Sequence, residues 1–180
     1  MGHQLILPTN PTPKTMNRRH FLLQSAALLA AGSATPLLAA PAWKENSSLP
    51  DLSTFGLEGT LPKLKGKVVY LDFWASWCAP CKASFPVING WHQKLAKRGF
   101  LVLGVNVDET DAAMQAFLKK TPVAFPVVRD AAQKLVAAAN VSTMPTSFII
   151  DKEGVIRKVH TGFRDKDADE LLAKINALLG

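Results

Sequence analysis

The only two cysteines of this 180-residue chain, Cys78 and Cys81, stand two residues apart in FWASWCAPCK (73–82). Such a pair can staple a fold, hold a metal or exchange electrons. As a staple it is weak, because closing a four-residue loop is worth about 2 kcal/mol, against roughly 3 for a 15-residue loop. A chain well above ~80 residues with 48% hydrophobic residues can build its core without one. A structural zinc site needs four ligands, and no second cysteine pair or paired histidines accompany this one. The histidines are scattered: His3 and His20 lie near the start, His92 on an expected exposed helix face, His160 at an expected strand end. No metal is expected. Thiol–disulfide chemistry is the remaining use.

The elements around the pair support that use. KVVYLDFW (67–74) is almost wholly apolar and rich in β-branched and aromatic residues, as a strand buried on both faces should be. A helix is expected from Ala79 to Arg98, with Ile88, Trp91 and Leu95 on one face, Pro86 bending it and Gly99 ending it. Cys78 then falls where orphan backbone N–H groups and the positive helix end favour an anion. A thiolate at such a place has its pKa lowered from about 8.5 into the range of roughly 3.5–7.5. Pro80 presets the first turn, and Cys81, one turn in, is the more buried thiol. Cys78 is therefore the expected nucleophile and Cys81 the resolving thiol that cleaves the mixed disulfide.

Further along, FLVLGVNV (100–107) reads as a second buried strand and Thr110 as the cap of a helix over 111–120. FPVV (125–128) is a short strand, 131–139 a helix, TSFIID and VIRKVH two strands joined at Lys152–Gly154, and 167–179 an amphipathic helix. FGLEGTL (55–61) reads as a small N-terminal hairpin, and residues 43–50 as a polar tether. The order predicts an α/β fold: a central mixed sheet, parallel in its first half and antiparallel at one edge, with helices on both faces.

Residues 17–31, NRRHFLLQSAALLAA, have the plan of a secretory signal: paired Arg18 and Arg19, then a short apolar run too weak to span a bilayer permanently. The run is similar to a twin-arginine signal, with Asn17 where Ser or Thr is usual. Ala40-Pro41-Ala42 offers a cut before Trp43, and Met16 is an alternative start. The expected organisation is a leader over 1–42 and one domain over 43–180, in the periplasm; an uncleaved anchor is the open alternative. Removing residues 1–42 takes Lys14, Arg18 and Arg19 and lowers the charge from +7 to +4. That balance, without a basic run, does not indicate nucleic acid binding. An exported pair meets an oxidising space.

The chain resembles the thioredoxin-like proteins of the TlpA/ResA type over about residues 49–180. The resemblance is carried by DFWASWCAPCK, Pro86, VNVDE (105–109), TMPTSFIID (143–151) and Gly162. It implies a cis Pro145, with Met144 before it offering backbone groups to an incoming peptide, and Trp77 and Pro80 beside the nucleophile. It also implies that Asp72 is buried behind the pair and assists proton transfer to Cys81; desolvation should raise its pKa. Two departures stand out. Many such proteins carry an acid shortly after the second cysteine, where this chain has Ala83-Ser84. The lysine that pairs with the buried acid in ordinary thioredoxin is absent, with Gly104 near its place. The implied activity is an exported reductase of protein disulfides, a monomer with no cofactor beyond the Cys78–Cys81 couple, supplied with electrons by a membrane donor. The competing readings are a thioredoxin-fold binding module, disfavoured by retention of both cysteines and Asp72, and a thiol peroxidase, whose Pro/Thr-rich cysteine loop is missing.

Overall fold

The computed structural model describes residues 43–180, so the leader read over 1–42, with its twin-arginine run, lies outside the described residues. Five strands, β1 (Val68–Trp74), β2 (Phe100–Asn106), β3 (Val127–Arg129), β4 (Thr146–Ile150) and β5 (Ile156–Thr161), form one sheet in the order β3-β2-β1-β4-β5. β1 pairs in parallel with β2, and β2 with β3, whereas β4 runs antiparallel to both β1 and β5. Every residue of β1 and β2 is buried, which is why both read as unbroken apolar runs.

Four helices cover the sheet: α1 (Ala79–Leu95), α2 (Asp111–Lys120), α3 (Lys134–Ala138) and α4 (Asp167–Leu179). α1 buries Cys81, Phe85, Ile88, Trp91 and Leu95 at helical spacing and continues through Pro86. A 3-10 turn, Ala96–Arg98, follows, and Gly99 ends it at φ 89°, a left-handed value that suits glycine. Thr110 caps α2 by accepting the Ala113 N–H, as the sequence implies. On one face of the sheet Tyr70 meets Trp91, and Trp74 meets Phe85 and Phe117. On the other, Phe73 and Phe148 pack against each other and against Trp43.

Four local expectations are corrected. Residues 55–61 form no hairpin: Leu52–Phe55 is a 3-10 turn, and Glu58 exchanges both backbone hydrogen bonds with Arg129, at 2.9 Å each. The backbone that would close the hairpin is spent on the open edge of β3, and the Glu58 carboxylate pairs with the Arg129 guanidinium at 2.6 Å. Residues 43–50 are no loose tether: Trp43 is buried, and Asn46, Ser47 and Leu49 bond the backbone at Gly154 and Ile156. α3 begins later than expected because Gln133 is left-handed and the Asp130 carboxylate takes the N–H groups of Lys134 and Val136. His92 is half-buried rather than exposed, its Nδ1 accepting the Val102 N–H at 3.3 Å beyond the end of β3.

Candidate active site

β1 ends at Trp74, and four residues later Cys78 caps α1. The turn between them is held from β2. Ser76 donates its N–H to both carboxylate oxygens of Asp108, and its hydroxyl to Oδ1, all at 3.1 Å. Asn106 donates to Oδ2 of the same carboxylate at 2.9 Å, and Val107 N–H bonds the Trp74 carbonyl. Arg129 closes the back of this turn by donating to the carbonyls of Asp108 and Glu109. The carboxyl ends of two parallel strands are thereby tied together under the cysteines.

Cys78 is the N-cap of α1. Its backbone is extended (φ −81°, ψ 106°), and its Sγ accepts the Cys81 N–H at 3.2 Å. The sulfur itself satisfies an orphan donor of the first turn, so negative charge on it is stabilised there. Cys78 and Cys81 are joined as a disulfide, with Cα atoms 5.3 Å apart. Cys78 keeps 5% of its surface and Cys81 none, the order expected of attacking and resolving thiols. Trp77 is 66% exposed, the one large hydrophobic side chain so exposed among the described residues.

A groove of about 410 Å³ opens over Cys78, with Trp77, Ala79 and Pro80 on one side and Val141 to Met144 on the other. The Met144–Pro145 bond is cis. Pro145 is buried behind Met144, and its carbonyl accepts the Gly162 N–H at 2.7 Å. Among the described residues the N–H and carbonyl of Met144 have no hydrogen-bond partner.

Asp72 lies two residues before Trp74, on the sheet face that α1 covers, and is almost fully buried. Its Oδ1 accepts the Ser147 hydroxyl at 2.7 Å, and its Oδ2 has no partner. Burial pushes its pKa up to about 7, against the opposing pull of the Ser147 hydrogen bond. Opposite Asp72 on β2 stands Gly104. A Cβ there would come within 3.1 Å of Trp74 Nε1 and 3.2 Å of Phe125, so aromatic rings occupy the space a lysine side chain would need. Ser84 is also buried, its hydroxyl donating to the Cys81 carbonyl at 2.9 Å.

Trp77, Cys78, Pro80 and Met144 therefore share one groove, Pro145 backs it, and Cys81 and Asp72 lie beneath the surface. Trp74, at the end of β1, is core, fully buried against Phe85 and Phe117. Sequence reasoning missed Asp108 and Arg129, whose roles come from pairing across strands. It also missed Tyr70 and Ser147, whose one signal was a hydroxyl inside an apolar run.

A CxxC disulfide at the N-terminus of a helix, at the carboxyl end of the central strand of this sheet and beside a cis proline, defines a thiol–disulfide oxidoreductase of the thioredoxin fold. The Redoxin family model matches residues 31–175, and the chain belongs to that family. The thiol-disulfide oxidoreductase ResA of Bacillus thuringiensis (strain Al Hakam) is 36% identical over 121 residues, 66% of this chain and 70% of the relative. That of Bacillus subtilis (strain 168) is 41% identical over 118 residues, 62% of this chain and 66% of the relative. A crystal structure described as a thiol:disulfide interchange protein DsbE from Chlorobium tepidum has 43% identity and a TM-score of 0.64, covering 65% of this chain and 83% of that one.

Proposed function

We propose that this protein is an exported, monomeric reductase of protein disulfides. The observation that carries the reading is the Cys78 sulfur capping α1 in an open groove, with the buried Cys81 one turn behind it. The groove suits a peptide: Trp77 offers an apolar wall, and the unpaired N–H and carbonyl of Met144 can bond an extended strand.

In the reduced state the Cys78 thiolate attacks one sulfur of the partner disulfide, and the other sulfur leaves as a thiolate. Asp72 then takes the Cys81 thiol proton. The Cys81 sulfur bonds to Cys78 Sγ, and the mixed disulfide breaks with its electron pair on the partner sulfur that Cys78 had attacked. The partner gains two electrons and the protein holds the Cys78–Cys81 disulfide. A carboxylate titrating near neutrality suits that proton transfer.

The direction follows from what stabilises the thiolate. The intervening Ala79-Pro80 carries no charge, so the helix end acts on Cys78 without a cation between the cysteines. A modestly stabilised thiolate gives a thioredoxin-like potential of roughly −200 to −270 mV rather than one near −120 mV. Such a couple reduces other proteins outside the cytoplasm only when a membrane dithiol donor restores it. A redox titration of the couple, with insulin reduction compared in the wild type and Cys78→Ser, tests the proposal. A potential in that range, with turnover lost in the variant, is expected. A value above about −150 mV would make the protein an oxidase.

A further inference from the structure

The Tyr70 hydroxyl donates to Ser147 Oγ at 2.8 Å, and Ser147 Oγ donates to Asp72 Oδ1 at 2.7 Å. All three groups are buried, on the adjacent strands β1 and β4, where Asp72 and Ser147 are direct cross-strand partners. A hydroxyl has a single hydrogen. With the tyrosine hydrogen directed at its oxygen, Ser147 is left to give its own hydrogen to the carboxylate. Tyr70 stays a donor throughout, because burial and then the nearby Asp72 raise its pKa.

We infer that Ser147 and Tyr70 are positioning residues for the proton transfer: together they hold Asp72 Oδ1 as an acceptor and leave Oδ2 as the oxygen that takes the Cys81 proton. The arrangement deepens the reductase reading and rests on its role for Asp72. It stands where a counter-cation is excluded, since Gly104 faces Asp72 from β2 and the rings of Trp74 and Phe125 crowd that glycine. A hydroxyl relay does part of a cation's work by favouring the charged carboxylate, without burying a second charge. The other titratable groups on this side are Cys81 of α1, His160 of β5, which faces Ser147 across the strand pair, and Asp167 of α4, 3.5 Å from His160 Nε2.

The inference is tested by titrating the Asp72 carboxyl carbon by NMR in the oxidised full-length protein. In parallel, release of an aromatic thiol dye from a Cys78 mixed disulfide reports resolution by Cys81 as a function of pH. Ser147→Ala is expected to raise the Asp72 midpoint by about one pH unit and to move the resolution profile with it. Tyr70→Phe should move both in the same direction by less, and Ser147→Thr, which keeps the hydroxyl, should restore both. An unmoved carboxyl midpoint in Ser147→Ala, or a shift in Ser147→Thr as large as in Ser147→Ala, would overturn the inference. Asp72→Asn separates the two levels. If it leaves the resolution profile unchanged, the role of Asp72 in the reductase fails, whereas the carboxyl titration still decides whether Ser147 and Tyr70 hold Oδ1.

Discussion

Asp108 grips Ser76 across the parallel strands β1 and β2, with both carboxylate oxygens on one N–H at 3.1 Å and Oδ1 also on the hydroxyl. Ser76 sits two residues before Cys78, so the loop that presents Cys78 hangs from a buried acid just past the end of the neighbouring strand β2. Asp108→Ala would leave the Ser76 N–H and the Asn106 amide without their acceptor. The expected cost is on the order of 3 kcal/mol, measured by denaturant unfolding. The first attack by Cys78 should slow, with the pH midpoint of resolution unmoved.

Asp72 gives the fold a pH dependence of definite sign. Its carboxyl titrates at about 7 when folded, against 3.8 for the ordinary group. The folded state therefore binds the proton more tightly, and stability falls as pH rises from about 4 through about 7. A difference of that size corresponds to on the order of 4 kcal/mol above neutrality. Asp72→Asn should be more stable than the wild type near pH 8 and similar to it near pH 4. Unfolding of the oxidised proteins at the two pH values checks this.

Trp77 separates binding from folding. At 66% exposure its truncation removes little buried surface, and Trp77→Ala should change stability by no more than about 0.5 kcal/mol. The ring walls the groove beside Cys78, so reduction of a protein disulfide should weaken several-fold, with attack on a small aromatic disulfide much less affected. Steady-state kinetics on the two substrates make the comparison.

Trp43 is core despite its place beside the expected cleavage point. It packs on Phe73 and Phe148, with ring centroids 6.2 and 5.2 Å away. Trp43→Ala should cost about 3–5 kcal/mol, the range for emptying a buried aromatic site, and thermal unfolding would register it.

What could be read in the chain beforehand was what is local. β1 and β2 are continuous apolar runs, α2 has its Thr110 cap, the 3-10 turn after α1 its Gly99 stop, and α4 its 3.6 period over Asp167–Leu179. Cys78 and Cys81 could be placed from their position at the start of one helix, and Asp72 from its place in β1 together with the family resemblance. The errors fell where distant backbone won. Glu58-Gly59 has the residues of a tight turn, but Glu58 pairs with Arg129, 71 residues away. Residues 43–50 are polar, yet their backbone is spoken for by β5. Nothing near Tyr70 or Ser147 announces that the two hydroxyls meet, since they are 77 positions apart and joined only by the β1–β4 register.

The docking of that first segment sets a timetable for folding. Asn46 donates to the Ile156 carbonyl, Ile156 donates back to Ser47, and Trp43 rests on Phe148. The start of the domain thus has to wait for strands that leave the ribosome about a hundred residues later. Contacts of such long sequence separation pay their loop-closure entropy before they are rewarded, and form slowly. If this closure comes after the rate-limiting step, weakening it at Trp43 would accelerate unfolding and leave the refolding rate nearly unchanged. The segment would then act as a latch on an already folded sheet, setting how long the protein lasts more than how quickly it arrives at its shape.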